Sequence, residues 1–362
     1  MKKYYTRPCN FFYGSNSRLL VKKKISLPIC GDNNISFNKV EIFTRAKKKV
    51  NSKIFDIKDI KNLSLILKKK IYKDIKKITS KRVFFKKRKH VLMGVLNITP
   101  DSFSDGGKFN NYKRAFARID KMYKAGVDII DIGGESTRPG SKIISQKDEL
   151  ERVKKVIGKF KKRYPKTLFS IDTRKSLVMD YSIKKKVDII NDVSCFKFDP
   201  KSLSLIKNKN LWKIIHHMQG TPQTMQINPH YNNVLLDIYD FFERQIKKFK
   251  TDKYSKKIIL DPGIGFGKNL KHNLMILKNI SVFHSLGFPV LIGASRKRFI
   301  GQISGTYDTK ERLGGTLSSI LFSLSQGVKI FRVHNVEEVK QGILIYERLI
   351  NKWRKNTSEQ TG

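Results

Sequence analysis

Val-Leu-Met-Gly-Val-Leu-Asn-Ile-Thr-Pro-Asp-Ser-Phe-Ser-Asp-Gly-Gly, residues 91–107, decides how the rest of the chain is read. Its first half is an unbroken apolar run of the kind that forms a strand buried on both faces. Its second half is a loop, because Pro100 lacks a backbone donor and Gly106-Gly107 favour no regular structure. A buried strand ending in a polar, glycine-terminated loop is where α/β proteins place their chemistry.

Seven further apolar runs follow, each closing on polar or small residues. Residues 127–132 end in Gly133-Gly134-Glu135-Ser136-Thr137-Arg138-Pro139-Gly140, residues 168–171 in Asp172-Thr173-Arg174, and residues 187–190 in Asn191-Asp192. Residues 211–215 end in His216-His217-Met218-Gln219-Gly220, 258–260 in Asp261-Pro262-Gly263, 290–292 in Gly293-Ala294-Ser295-Arg296-Lys297, and 328–333 in His334-Asn335. Helix-like stretches lie between them; in 112–125, Phe116, Ile119, Met122 and Tyr123 recur at helical spacing. Strand–helix alternation repeated about eight times over roughly 270 residues predicts an α/β fold, a TIM (β/α)8 barrel, with its active site at the carboxyl ends of the strands.

Residues 1–88 read as a Lys-rich N-terminal α+β extension, and residues 89–362 as the barrel. Residues 7–14 look aromatic and turn-rich, while Ile35-Ser36-Phe37 and Val40-Glu41-Ile42-Phe43 suggest a strand or hairpin. Between 56 and 79, Ile57, Ile60, Leu63, Leu67, Ile71, Ile75 and Ile78 recur every three or four residues on a Lys-rich background, predicting an amphipathic helix. Packing against the barrel is favoured for it over lying on a membrane surface.

No apolar run approaches the length of a membrane span, and Met1-Lys2-Lys3-Tyr4-Tyr5 lacks the apolar core of a signal peptide. Three scattered cysteines, Cys9, Cys30 and Cys195, offer neither a disulfide framework nor a zinc spacing, so a reducing, cytoplasmic setting is expected. The net charge of +46 invites a polyanionic partner. The lysines, however, are spread over almost every helix, as a coding bias would leave them. Weak, salt-sensitive association with nucleic acid is expected, and no specific nucleic-acid partner.

Two carboxylates and an amide end three strands: Asp172, Asp261 and Asn191. Carboxylates are rarely buried without a partner, so these fit a flat, donor-rich heterocycle; capping of the next helix is the plainer alternative. Arg296-Lys297-Arg298 and Arg332-Val333-His334 end two more strands, and with Thr137 and Arg138 they suit a phosphate or diphosphate. The stretch 261–268 resembles a nucleotide loop but lacks both the third glycine and the Ser or Thr after Gly267-Lys268 that those loops need. It reads instead as a close-approach loop with Phe266 as an apolar wall. His216, His217, Glu135 and Asp105 do not make a metal cage, because adjacent strand residues point to opposite faces. A magnesium ion held chiefly by substrate phosphates remains open.

Taken in order, the motifs at 97–107, 131–140, 170–173, 191–194, 217–222, 260–268, 295–301 and 332–334 resemble the dihydropteroate synthase family of folate biosynthesis, the sulfonamide target, over residues 91–350. The resemblance implies condensation of a hydroxymethyl-dihydropterin diphosphate with p-aminobenzoate, with loss of diphosphate. It implies that Asp172, Asn191, Asp261 and Lys297 hold the pterin with Met218 against its face, and that Thr137, Arg138, Arg332 and His334 bind the diphosphate. Phe266, Ser295, Lys297, Phe103 and Pro139 would frame p-aminobenzoate, and Asn97 would serve a Mg2+ ion. The loops carrying Asp101, Phe103, Asp105 and Thr137–Gly140 would close over the site, and a homodimer is implied, with the apolar 313–324 stretch as a candidate contact. Asn335 stands where the family more often has Asp. The rival readings are a pterin-binding methyltransferase barrel, against which the diphosphate-type cluster argues, and a basic nucleic-acid-binding barrel.

Overall fold

The structure, a computed structural model, describes residues 2–82, 84, 89–99, 108–138 and 140–351. Residues 2–56 build an antiparallel sheet. β1 (Lys2–Tyr13) pairs with β3 (Asp32–Ala46) from Lys2↔Ala46 to Tyr13↔Ile35, and β2 (Leu27–Ile29) and β4 (Lys49–Asp56) pair with the other edge of β3. The stretch expected to be turn-rich is therefore the second half of a strand, and the expected hairpin at 35–43 is one continuous strand. Tyr4, Tyr5, Thr6, Phe11, Phe12 and Tyr13, all residue types that favour strands, carry that preference, and the turn signal persists only at Asn10, whose φ is +57°.

The predicted helix over 56–79 is interrupted. A 3-10 helix at Ile57–Asn62 comes first, and α2 (Leu65–Thr79) begins only after Ser64, whose extended backbone breaks the run; α1 (Gly14–Lys22) precedes both. Ile60, Ile71 and Ile78 are fully buried with Phe37, Val40 and Ile42 in the extension's own core. The apolar stripe is thus used against the N-terminal sheet, and α2 also packs against the barrel's 3-10 helix Ile280–Leu286, as expected.

The eight runs become β5 (Val91–Asn97), β6 (Ile129–Gly133), β7 (Leu168–Asp172), β8 (Ile189–Asp192), β9 (Trp212–His216), β10 (Ile258–Asp261), β11 (Leu291–Ile292) and β12 (Ile330–Val333). All pair in parallel, each with its sequence neighbour, and β12 returns to β5. A bridge from Leu260 to Val290 joins β10 to β11 and closes the TIM barrel. Helices α3 (Lys108–Lys124), α4 (Gln146–Arg163), α5 (Ser176–Lys184), α6 (Pro200–Ile206), α7 (Val234–Lys248), α8 (Leu270–Lys278), α9 (Arg298–Ser304), α10 (Leu313–Leu324) and α11 (Val336–Ile350) ring it. Inside, Val91, Met93, Ile129, Ile189, Ile214, Ile259, Leu291 and Ile330 pack as an apolar floor with Phe84, whose ring meets Trp212 edge-on.

The extension docks on the barrel through α7 and the 3-10 helix Ile280–Leu286. Tyr5 packs edge-on against Tyr239 at 5.1 Å. Lys3 pairs with Asp240 and Glu243 at 2.6 Å each, and Arg45 with Asp237 and Asp240 at 2.6 and 3.0 Å. Ser281 and Tyr13 add hydrogen bonds to the carbonyls of Pro8 and Ser325. Among the described residues no helix is long and apolar enough to cross a membrane.

Candidate active site

The floor residues and the site residues are the same strands read two positions apart. Because strand side chains alternate faces, Ile214 inside the barrel puts His216 inside, Ile259 puts Asp261 there, Ile189 puts Asn191, Ile129 puts Asp131 and Ile330 puts Arg332. Polar side chains thus converge on the carboxyl-terminal mouth. Thr137, Asp172, Asn191, His216, Asp261, Phe266, Lys297 and Arg332 line a single small cavity of about 20 Å³.

Arg332 organises one side of it. Its Nε donates to Asp131 Oδ2 and its Nη2 to Asp172 Oδ2, both at 2.7 Å. Asn191 Nδ2 donates to the same Asp131 oxygen at 3.1 Å. Burial pushes the Asp172 carboxyl up to about 7 against the pull of Arg332, and the neighbouring Asp131 charge pushes the same way. Among the described residues, Asp131 Oδ1 and Asn191 Oδ1 are buried acceptors that receive no hydrogen bond.

On the other side Asp261 Oδ1 accepts from the Gly263 N–H at 2.8 Å, and Oδ2 lies 3.2 Å from His216 Nδ1. Burial raises the Asp261 pKa, but His216, this backbone donor and Lys297 outweigh it and hold the carboxyl below its usual range. Lys297, at the start of α9, places its ammonium 4.0 Å from the Phe266 ring centroid. Burial, with Arg332 nearby, pushes it down to about 8.

The 261–268 loop holds Phe266 in place. Gly263 and Gly267 have φ of +67° and +62°, and a Cβ at either would strike the backbone of His217 or Gln219. Lys268 folds back beneath, donating to the Phe266 carbonyl at 2.8 Å and reaching the His217 carbonyl and Nδ1 at 3.3 and 3.0 Å. Burial pushes that amine down to about 7. Phe266, Val193 and Met225 pack together, with Met218 against them.

Behind Lys297, Ser295 Oγ and His334 Nδ1 lie 3.0 Å apart. Burial, then Arg332, Arg296, Arg118 and Lys297, hold the imidazole of His334 well below its ordinary pKa. Asn335 Oδ1 accepts from Arg296 Nε and Nη2 at 3.1 and 2.6 Å, so the departure at 335 supplies a neutral acceptor to one of these cations.

Of the expected site residues, the structure gathers Asp172, Asn191, Asp261, Phe266, Ser295, Lys297, Arg332, His334 and Thr137, with Met218 beside them. Arg138 is exposed on the rim, its side chain outside the cavity. Asp101, Phe103, Asp105 and Pro139 lie outside the described residues. Glu135 is committed to Arg174 and Lys175 at 2.6 and 2.9 Å, which anchors the loop bearing Thr137. Among the described residues no group of three or more His, Cys, Asp or Glu could hold a metal. Asn97 ends β5 half-buried, in register with Gly133 of β6. Sequence reading gave no role to Asp131, a charge inside the apolar run Ile129–Ile132, or to Arg118 on α3; it set His216 aside with His217. The charge in the apolar run was the readable signal; the other two depend on tertiary neighbours.

A model of pterin-binding enzymes matches residues 93–334. The dihydropteroate synthase of Escherichia coli is 40% identical over 261 residues, covering 72% of this chain and 92% of its own length. That of Synechocystis is 39% identical over 269 residues, covering 74% and 91%. Among solved structures, Yersinia pestis dihydropteroate synthase in a sulfonamide drug complex has a TM-score of 0.68 at 38% identity, covering 72% of this chain and 94% of its own. The Xanthomonas albilineans enzyme with 4-aminobenzoic acid has a TM-score of 0.67 at 32% identity, covering 72% and 93%.

Proposed function

The chain belongs to the pterin-binding enzymes, among the dihydropteroate synthases, and from that premise we propose how its residues divide the reaction between them. The reaction condenses 6-hydroxymethyl-7,8-dihydropterin diphosphate with p-aminobenzoate, giving dihydropteroate and diphosphate. One observation supports the division: a mouth whose floor presents buried acceptors (Asp131, Asn191, Asp172, Asp261) and whose flank presents cations around His334. A pterin diphosphate has the matching pair, a heterocycle edged with N–H donors and a polyanionic tail.

Asp172, Asn191 and Asp261 take the ring hydrogens, Lys297 donates to a ring acceptor and Met218 lies on the ring face. Arg332, His334, Thr137 and Arg138 take the diphosphate. The bond that breaks joins the pterin methylene carbon to the diphosphate oxygen, and its electron pair leaves on that oxygen, where the surrounding cations stabilise it. The remaining pterin cation is stabilised by the Asp172 and Asp261 carboxylates. The amine lone pair of p-aminobenzoate, framed by Phe266, Ser295, Lys297, Phe103 and Pro139, forms the new C–N bond and loses its extra proton to solvent. No protein nucleophile is needed. Asn97 would hold Mg2+ together with the diphosphate oxygens; when bound, the ion adds charge neutralisation at the leaving group.

Two copies pair through α10 and α11, where Phe322, Leu344, Ile345 and Leu349 stand half or more exposed. The partners are small molecules, with no specific nucleic acid, in a cytoplasmic setting that fits three unpaired cysteines. Diphosphate release from the pterin substrate should require p-aminobenzoate and yield dihydropteroate. Saturable pterin binding without release would replace this reading with a methyl-transferring barrel.

A further inference from the structure

We propose that Glu135 and Lys175 are positioning residues for the diphosphate end of the substrate: with Glu149 they lock the loop that carries Thr137 to the strand end that carries Asp172. The proposal rests on the synthase reading above. Four ionic side chains meet behind the mouth from three segments. Glu135 follows β6, Arg174 and Lys175 follow β7, and Glu149 lies in the first turn of α4. None is more than 7% exposed, and none lines the mouth cavity.

One carboxylate joins these segments. Glu135 Oε2 accepts from Arg174 Nε and Nη2 at 3.1 and 2.6 Å, and its Oε1 accepts from Lys175 Nζ at 2.9 Å and from the Ile144 N–H at 3.2 Å. Both ends of the loop 135–144 are thereby tied to a single point. Lys175 Nζ also lies 2.8 Å from Glu149 Oε2, which extends the tie to α4. Burial raises the Glu135 pKa, but Arg174 and Lys175 outweigh it and hold the carboxyl below its usual range, so it is ionised and accepts from all four donors. The base of the loop rests directly on α4: a Cβ on Gly134 would come within 2.9 Å of Glu149 and Val153, and Arg152 Nη1 donates to the Gly134 carbonyl at 3.0 Å.

This anchor connects the two halves of the site. Thr137, two residues after Glu135, and Asp172, three residues before Lys175, both line the mouth. The turn between Asp172 and Lys175 is itself braced, the Lys175 N–H donating to Thr173 Oγ1 at 3.2 Å and the Thr173 N–H to the Asn191 carbonyl at 3.0 Å. Stability gives little reason for such a cluster, since apolar residues of similar volume often replace a buried ion network without loss. Geometry gives one. The substrate is a single molecule with its ring at Asp172 and its diphosphate at Thr137, and a misplacement of about 1 Å between the two costs up to about a hundredfold. The ion pairs fix that spacing before the substrate arrives.

The test uses two changes that leave every mouth residue in place. Glu135→Gln removes the charge but keeps an acceptor for Ile144; Lys175→Met combined with Glu149→Gln removes the ammonium together with the carboxylate it would leave unpaired. Calorimetric Kd values for 6-hydroxymethyl-7,8-dihydropterin diphosphate and for the same dihydropterin alcohol without its diphosphate are measured on the full chain, with the melting temperature. Each variant should bind the diphosphate ester about ten- to a hundredfold more weakly and the alcohol within about twofold of wild type. Unchanged ester affinity in either folded variant overturns the proposal, and a lowered melting temperature alone would make the cluster structural. An equal loss for ester and alcohol overturns it too, because the whole mouth has then relaxed. Wild type that binds the ester but releases no diphosphate when p-aminobenzoate is added overturns the synthase reading alone, and the comparison of ester with alcohol still decides the anchor.

Discussion

At the floor of the barrel Met93, Ile129, Ile189, Ile214, Ile259, Leu291 and Ile330 close on one another, whereas two residues further along six of those strands stand Asp131, Asn191, His216, Asp261, Gly293 and Arg332. The backbone, the pleat and the neighbours are the same; only the side-chain chemistry switches. The floor gains from apolar burial and tight packing. The mouth buries carboxylates, an amide and two histidines, at a cost that Arg332, Lys297 and backbone N–H groups offset only in part. The comparison teaches that stability and function are stacked along one set of strands, so substitutions at the two levels should separate cleanly.

The largest separation is expected at Lys297→Ala. Losing a donor that faces both substrates should lower turnover by about a thousandfold with little change in melting temperature; normal turnover would remove Lys297 from the machinery. At the floor, Ile214→Ala should do the reverse, costing about 2–5 kcal/mol in denaturant unfolding while both KM values hold. A large KM change there would show that the two levels are coupled. Asp172→Asn should weaken pterin binding by about ten- to a hundredfold with the fold intact; unchanged affinity would reduce Asp172 to a helix cap.

The pH profile sharpens the mouth further. Asp172, pushed up to about 7, takes on its proton as pH falls through that value and can no longer stabilise a cation. Lys297, pushed down to about 8, loses its proton as pH rises through that value. The kcat/KM for the pterin substrate, which reports groups of the free enzyme, should therefore peak between about 7 and 8. Asp172→Asn should flatten the acid limb and move the alkaline limb to lower pH, because the Asp172 charge helps Lys297 hold its proton. The smallest effect is expected furthest from both levels: Asp240→Ala on α7 cuts the ion pairs to Lys3 and Arg45, which are partly exposed, and should cost about 1 kcal/mol of stability without touching activity.

Much of this was legible in the chain. Eight apolar runs ending in polar loops specify a parallel barrel because strands buried on both faces read as continuous hydrophobic segments, and Asp172, Asn191, Asp261, Lys297, Arg332 and His334 stand where such segments end. The extension was read less well. Residues 7–14 contain Pro8, Asn10 and Gly14, local turn signals, yet Lys2–Tyr13 stays one strand because β3 supplies a ladder of partners from 35 to 46, with Asn10 alone at a φ of +57° and outside that ladder. The 56–79 stripe was seen correctly as amphipathic, but no spacing reveals what covers it.

By itself the sequence determined the order of strands and helices and the polar residues at each strand end; period two shows which of them share a face, while strands buried on both faces leave the inward face to the tertiary structure. Only the tertiary structure decided pairings between distant segments: that Arg332 bridges Asp131 and Asp172, that Lys268 reaches His217, that Ser295 meets His334, and that His216 sets Nδ1 against Asp261. The physical reason is that periodicity is a local property of the backbone, whereas the charge state and hydrogen bonding of a buried group depend on neighbours 51 to 201 residues away in the chain.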